Sequence, residues 1–156
     1  MKKTPLIAGL TAVLALSSFA QAKEVNLTTQ LTNYGGDGAY VAIYLTDASG
    51  DYKSTLWVAG RKSKYYKHLR DWARGSGLKS SEYDGLTGAS ITQGKTLTMT
   101  VDIDDALFDN GNQIRIDTSV EDMRDNRSDV VAELTTDGAG KPVKGNAYVK
   151  SFTYDF

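Results

Sequence analysis

Apolar and polar residues alternate along much of the chain, which is the pattern of strands with one buried and one exposed face. The clearest case runs from Leu97 to Ile103, with threonines and Asp102 at the intervening positions. Weaker alternation predicts further strands around residues 25–31, 114–120, 130–135 and 148–156. Residues 40–45 are apolar on both faces and predict a central strand, and residues 53–58 predict a seventh strand.

Turn-forming residues separate these segments and favour antiparallel neighbours. Clusters of glycine, aspartate and asparagine occur at 35–38, 49–51, 109–112 and 137–140. About seven short strands with such turns predict a mainly β chain, folded as an antiparallel β-sandwich of immunoglobulin type. A small closed barrel is the alternative.

One segment changes from strand to helix periodicity. Between residues 63 and 74 the apolar side chains recur at helical spacing, with Ser63 as the expected N-cap and Gly75 just past the end. We therefore expect one short helix and a loop, residues 60–90, inserted between two strands. Long crossings of this kind often carry function.

The N-terminus has the features of a secretory leader. Lys2 and Lys3 precede an uncharged stretch, residues 5–20, which ends at the small-x-small sequence Ala20-Gln21-Ala22. This pattern predicts a signal peptide over residues 1–22 and a single domain over residues 23–156. The mature protein is then expected in the periplasm, with no segment that spans a membrane.

Composition excludes several kinds of chemistry. The chain has no cysteine and one histidine, so disulfides, thiolate metal sites and a zinc site with three histidines are excluded. The formal net charge of −1 argues against a nucleic-acid partner. No metal site is predicted, and the alternating charges of residues 122–129 are typical of an exposed turn with weak ion pairs.

The sharpest local motif is the stretch Asp84-Gly85-Leu86-Thr87-Gly88-Ala89-Ser90. It combines an acid, two glycines that permit tight turns, and a hydroxyl beside the smallest side chains. An ordinary loop that leads into a strand has the same composition. The other interpretation is that Ser90 presents its hydroxyl to another enzyme.

This stretch resembles the flavinylation motif Asp-x-x-(Ser/Thr)-Gly-Ala-(Thr/Ser), found in flavoprotein subunits of sodium-pumping NADH:quinone reductase. There a flavin transferase of the ApbE type moves FMN from FAD onto the last hydroxyl. The resemblance implies that Ser90 is the acceptor of a phosphoester-linked FMN. It assigns the rest of the motif to Asp84, Thr87, Gly88 and Ala89, and the one departure is serine where threonine is commoner.

Residues 24–156 also resemble a family of predicted periplasmic proteins, family 2271 of the domains of unknown function. The resemblance lies in residues 40–47, 55–60, 65–72, 84–90 and 149–154. Members are often encoded beside PepSY-type membrane proteins and flavin transferases, in clusters linked to iron uptake or electron transfer. This implies a small redox carrier, more an electron carrier than an enzyme with its own substrate.

Aromatic and basic residues near the motif are candidates for contact with such a flavin. Tyr65 and Trp72 offer flat apolar surfaces for the ring. Lys67 offers a charge for the phosphoester, as do its basic neighbours Arg61, Lys62, Lys64 and Arg70. Core packing of a helix explains Trp72 equally well. His68 is either a surface residue, a proton donor near a reduced flavin, or a single haem ligand.

A second function class stays open beside the electron carrier. An immunoglobulin-like module without catalysis, which docks a membrane transporter or binds haem or a siderophore, explains the same fold and the same aromatic and basic residues. The two hypotheses differ in one covalent bond, at Ser90.

Overall fold

A computed structural model describes residues 21–156, which contain eight strands, one α-helix and three 3₁₀ helices. The predicted leader, apart from its last two residues, lies outside the described residues. The strands are β1 (Ala22–Leu31), β2 (Tyr40–Thr46), β3 (Tyr52–Ala59), β4 (Thr87–Gly88), β5 (Thr96–Asp104), β6 (Gln113–Ser119), β7 (Asn126–Glu133) and β8 (Val149–Asp155). The helix α1 spans Arg70–Ser76, and the 3₁₀ helices span Ser63–His68, Ser80–Glu82 and Asp105–Leu107.

The strands form two sheets, one of three strands in the order β5-β1-β8 and one of five in the order β4-β3-β2-β6-β7. The prediction of a mainly β sandwich is confirmed, with two separate sheets in place of the closed barrel. All pairings are antiparallel except that of β3 with the two-residue β4, which is parallel. This short strand, which lies within the Asp84–Ser90 motif, is the one addition to the seven that were expected.

The alternation of apolar and polar residues along β1 and β5 agrees with the way the two strands pair. Val25 lies opposite Val101 and Leu27 opposite Met99, so the apolar sides of both strands face the core together. Side chains of neighbouring antiparallel strands at paired positions share a face of the sheet. The intervening threonines face away from the core, which is why this strand could be predicted from its sequence.

The central strand β2 is buried on both faces, as its sequence predicts. Val41 and Ile43 pack into the core between the sheets. Ala42 and Tyr44 belong to a second cluster, on the opposite side of the five-stranded sheet. The segment around α1 covers that side, so its apolar residues are core residues of this second layer.

The inserted helix differs from the prediction in both its continuity and its ends. A 3₁₀ helix ends at His68, Leu69 leaves helical geometry, and α1 starts at Arg70. Lys62, not Ser63, holds the first N-cap position. Helix α1 ends at Ser76, and its C-cap is Gly77, whose φ of 62° is left-handed. Gly75, expected just past the end, lies inside α1, where an added Cβ would collide with Tyr52.

Candidate functional site

A cleft of about 670 Å³ opens beside the first 3₁₀ helix. Its walls come from four stretches of chain that are distant in sequence, within residues 37–40, 61–68, 89–90 and 119–125. This volume is in the range of pockets that hold a small organic ligand or cofactor. Two residues of the Asp84–Ser90 motif, Ala89 and Ser90, line it directly.

Ser90 is exposed at the edge of this cleft. The next residue, Ile91, exchanges two main-chain hydrogen bonds with Ala39, at 2.7 and 3.0 Å, and so fixes the end of the loop. A Cβ added to Gly38 would lie 2.8 Å from Ser90 Oγ. The absence of a side chain at position 38 therefore keeps the space beside the hydroxyl open.

The rest of the motif forms the turn that presents Ser90. The Asp84 main-chain N–H donates to the Ser80 carbonyl at 2.8 Å, and Gly85 follows with a left-handed φ of 78°. Thr87 and Gly88 then pair with β3. Asp84 and Thr87 are exposed and lie outside the cleft lining.

Gly88 has a steric role in this turn. A Cβ at this position would lie 2.7 Å from Cζ2 of Trp57. Only glycine lets the backbone approach the indole ring this closely. A side chain at position 88 would therefore push β4 away from β3, with which Gly88 is paired.

Of the three side chains expected around a flavin, the structure brings only Tyr65 to the cleft. Its ring packs edge-on against Tyr40, with 5.7 Å between ring centroids, and both tyrosines line the cavity. Trp72, on α1, is fully buried, and its indole N–H donates to Thr55 Oγ1 at 2.9 Å. Lys67 is exposed and does not line the cleft.

Two of the other basic residues expected near a phosphoester do line the cleft. Arg61 and Lys62 lie in the cleft wall, on the segment before the first 3₁₀ helix. Glu121 and Asp122, from the loop after β6, also line the cavity. The cleft therefore has cationic groups on one segment and carboxylates on another, in addition to its aromatic surface.

His68 belongs to a hydrogen-bonded network in the same cleft. Its Nδ1 lies 3.1 Å from Asp125 Oδ2, which also accepts from Arg70 Nε at 2.8 Å. The other oxygen, Asp125 Oδ1, accepts from the Ser119 hydroxyl at 2.8 Å. Burial raises the pKa of the Asp125 carboxyl, and these hydrogen bonds more than offset that effect, so the pKa lies below its usual value.

The prediction that residues 122–129 form an exposed turn is wrong from residue 126 onward, because β7 begins at Asn126. Asp129 is 1% exposed and accepts hydrogen bonds from the Thr118 hydroxyl and from four consecutive main-chain N–H groups, residues 146–149. A buried carboxylate needs donors of this kind to replace water. The alternation of charges in the sequence gave no sign of them, because the donors come from the approach to β8.

The sequence reasoning also missed Tyr40, Met123 and Asp125 as cleft residues. Tyr40 was assigned to a strand and the other two to a turn, and nothing local to either segment indicates that they meet. Within residues 21–156, no group of three or more histidine, aspartate or glutamate side chains is arranged to hold a metal ion.

The fold and the cleft define a β-sandwich protein whose inserted helical segment and loops enclose a cavity with mixed aromatic and charged walls. The family profile described as "Predicted periplasmic protein (DUF2271)" matches residues 22–151, and the chain belongs to this family. Neither the curated proteins nor the solved structures give a match. In the described part of the chain, no helix has the length and apolar character that a membrane crossing requires.

Proposed function

We propose that this protein is a periplasmic electron carrier in which FMN is attached through a phosphoester to Ser90. The observation that carries the proposal is the position of Ser90, an exposed hydroxyl on the edge of a cleft of about 670 Å³. The flavinylation motif on its own predicts an acceptor hydroxyl. The cleft adds a place for the group that such a hydroxyl would hold.

The attachment step has FAD as co-reactant and a flavin transferase of the ApbE type as catalyst. Ser90 Oγ bonds to the phosphorus on the FMN side of the FAD pyrophosphate. The bond from that phosphorus to the bridging oxygen breaks, AMP leaves, and a base of the transferase takes the hydroxyl proton. Access for a second protein is consistent with the exposure of Ser90 and with the missing side chain at Gly38.

The cleft residues fit the two chemically different parts of FMN. The isoalloxazine ring is flat and largely apolar, and Tyr40, Tyr65 and Met123 offer aromatic and thioether surfaces. The phosphodiester keeps one negative charge, which Arg61 and Lys62 can neutralise because both line the cleft. When bound, the flavin supplies the redox chemistry, and the protein supplies binding and orientation.

The proposed partners follow from the family resemblance. A PepSY-type membrane protein would deliver electrons, in iron uptake or in respiration. The basic surface of the inserted segment, which includes the exposed residues Lys64 and Lys67, suits an acidic docking partner.

The test is co-expression with an ApbE-type transferase, followed by intact-mass measurement and by ultraviolet fluorescence in a denaturing gel. The expected result is one FMN-phosphoryl group on the wild type and none on Ser90→Ala. Two matched controls should keep the label: Ser90→Thr, which retains the hydroxyl, and Thr92→Ala, which removes an exposed hydroxyl just outside the motif. An unlabelled wild type, with a transferase active on another substrate, contradicts the proposal.

A second candidate function rests on His68, which lies in the wall of the same cleft. A non-catalytic module could use this imidazole as a single ligand to haem, without a covalent bond at Ser90. Titration of the unlabelled protein with haem distinguishes the two. A Soret shift that is lost in His68→Gln and kept in Ser90→Ala supports this candidate.

A further inference from the structure

The His68–Asp125 pair lies in the cleft but outside the attachment motif. Asp125 is held from three sides, by His68 Nδ1, Arg70 Nε and the Ser119 hydroxyl. Because both of its oxygens are engaged, its position relative to the imidazole ring is fixed. A carboxylate in this position orients the ring and selects which nitrogen carries the hydrogen.

This arrangement leaves Nε2 as the nitrogen that exchanges protons. With Nδ1–H directed at the Asp125 carboxylate, a proton can leave and return at Nε2 without disturbing that hydrogen bond. The His68 side chain is 38% exposed and lines the same cavity as Ser90. Solvent and a group tethered to Ser90 can therefore both reach it.

We infer that His68 donates a proton at Nε2 to the flavin held by Ser90 as that flavin is reduced, and that Asp125 is its positioning residue. This inference rests on the proposed function. Two-electron reduction of an isoalloxazine ring takes up a proton at a ring nitrogen, with the electrons coming from the membrane partner or, in solution, from dithionite. The Nε2–H bond of the imidazolium breaks as the proton is transferred, and Nε2 regains a proton from water.

The other charged groups near His68 do not offer this chemistry at neutral pH. Arg70 contacts the same Asp125 oxygen. The cleft also carries two cations, Arg61 and Lys62, and three further acids, Asp37, Glu121 and Asp122. Imidazole is the one side chain whose ordinary titration lies between about pH 5 and 8, and His68 is the single histidine in the chain.

The cavity wall also carries the hydroxyls of Tyr40, Tyr65 and Ser119. The Tyr40 hydroxyl accepts the main-chain N–H of Lys62 at 3.3 Å. The Ser119 hydroxyl donates to Asp125 Oδ1 at 2.8 Å. His68 is therefore the imidazole of this cavity that a carboxylate orients and that solvent reaches.

The experiment measures the rate of flavin reduction by dithionite between pH 5 and 8, in protein labelled by co-expression with the transferase. Intact mass gives the labelled fraction of each variant, and thermal unfolding checks that it is folded. The variants are His68→Gln, Asp125→Asn and, as a control that removes one exposed positive charge elsewhere, Lys79→Gln.

The wild type should show an inflection in the pH–rate profile. His68→Gln should flatten the profile and slow reduction at least about tenfold at pH 6, a modest effect for the loss of a general acid. Asp125→Asn keeps the imidazole but removes the carboxylate that orients it, so reduction at pH 6 should be slower than in the wild type although His68 is present. Lys79→Gln should match the wild type.

Two different failures can be told apart. Equal labelling with the same profile in the wild type and His68→Gln overturns the role of His68 and leaves the attachment at Ser90 intact. A wild type that carries no label contradicts the proposed function, and this inference with it.

Discussion

The buried carboxylate of Asp117, on β6, accepts the main-chain N–H of Trp72 at 2.9 Å and so caps helix α1 from a neighbouring strand. The same oxygen accepts the N–H of Asp71 at 2.7 Å. The first N–H groups of a helix have no partner inside it, and Leu69, at the cap position, has no side chain that could accept them. Asp117 therefore decides where the inserted helix begins.

Asp117→Asn should destabilise the protein strongly. The other oxygen of Asp117 accepts from the Tyr44 hydroxyl and from the Ser128 N–H, at 3.0 and 2.8 Å, so all four partners are donors. In Asp117→Asn, the side-chain NH₂ replaces one of the two oxygens and cannot accept from the two donors on that side. We expect the free energy of unfolding to fall by about 2–4 kcal/mol.

Urea unfolding of Asp117→Asn beside Asp51→Asn checks this expectation. Asp51 is exposed, so the control should change stability by less than about 0.5 kcal/mol. A similar small effect in Asp117→Asn would show that the cap does not stabilise α1.

Asp129 holds the approach to β8 in the same manner. Its five donors are the Thr118 hydroxyl and the N–H groups of residues 146–149. Asp129→Asn should cost about 3 kcal/mol, because the amide cannot accept on both sides and leaves buried N–H groups unpaired. Asp137→Asn, which disturbs only a surface pair with Lys141, should cost less than about 1 kcal/mol. Equal midpoints in denaturant for the two variants would contradict the assignment.

Gly38→Ala tests whether access to Ser90 limits flavin attachment. The added Cβ would lie 2.8 Å from Ser90 Oγ, so the hydroxyl must rotate away or the loop must shift. We expect the labelled fraction after a short co-expression to fall severalfold, with the thermal midpoint nearly unchanged, because the Ser90 hydroxyl is the flexible end of an exposed side chain. Normal labelling of a folded Gly38→Ala would show that this space is not used.

Ser119→Ala tests the electrostatics of the His68–Asp125 pair. Loss of the hydroxyl donor should raise the pKa of Asp125 towards its ordinary value, which a carboxyl-carbon NMR titration measures directly. Because the folded-state pKa is lowered, Asp125 contributes stability above its unfolded pKa and loses it as the pH falls through the folded pKa. Ser119→Ala should lose the stability contributed by Asp125 at a higher pH than the wild type does. An unchanged titration curve for Asp125 would mean that the Ser119 hydroxyl does not stabilise its carboxylate.

The strands were predictable because their signal is local. A period of two from Leu97 to Ile103, or an apolar run from Tyr40 to Leu45, reports directly which faces are buried. The same reasoning placed the apolar residues of the inserted helix on one side. It did not find the break at Leu69, since that break depends on an acceptor supplied by Asp117, almost fifty positions further along the chain.

The candidate site was predictable only in part, for the same reason. Ser90 stands out because its neighbours in sequence form a motif. Tyr40, His68 and Asp125 are ordinary residues of a strand, a helix and a turn until folding brings them to one cleft. Trp72 is the converse case, because it is near the motif in sequence but its side chain is buried, which is the core role that its helical spacing also allowed.

The amino-acid sequence by itself determined the class of fold, the length and faces of its strands, and one candidate acceptor hydroxyl, because periodicity and turn chemistry act over a few residues. Only the tertiary structure decided which side chains surround that hydroxyl and which carboxylates are buried. Those outcomes depend on contacts between distant segments, and the burial of Asp117 and Asp129 is tolerated because other strands and loops supply the donors that replace water.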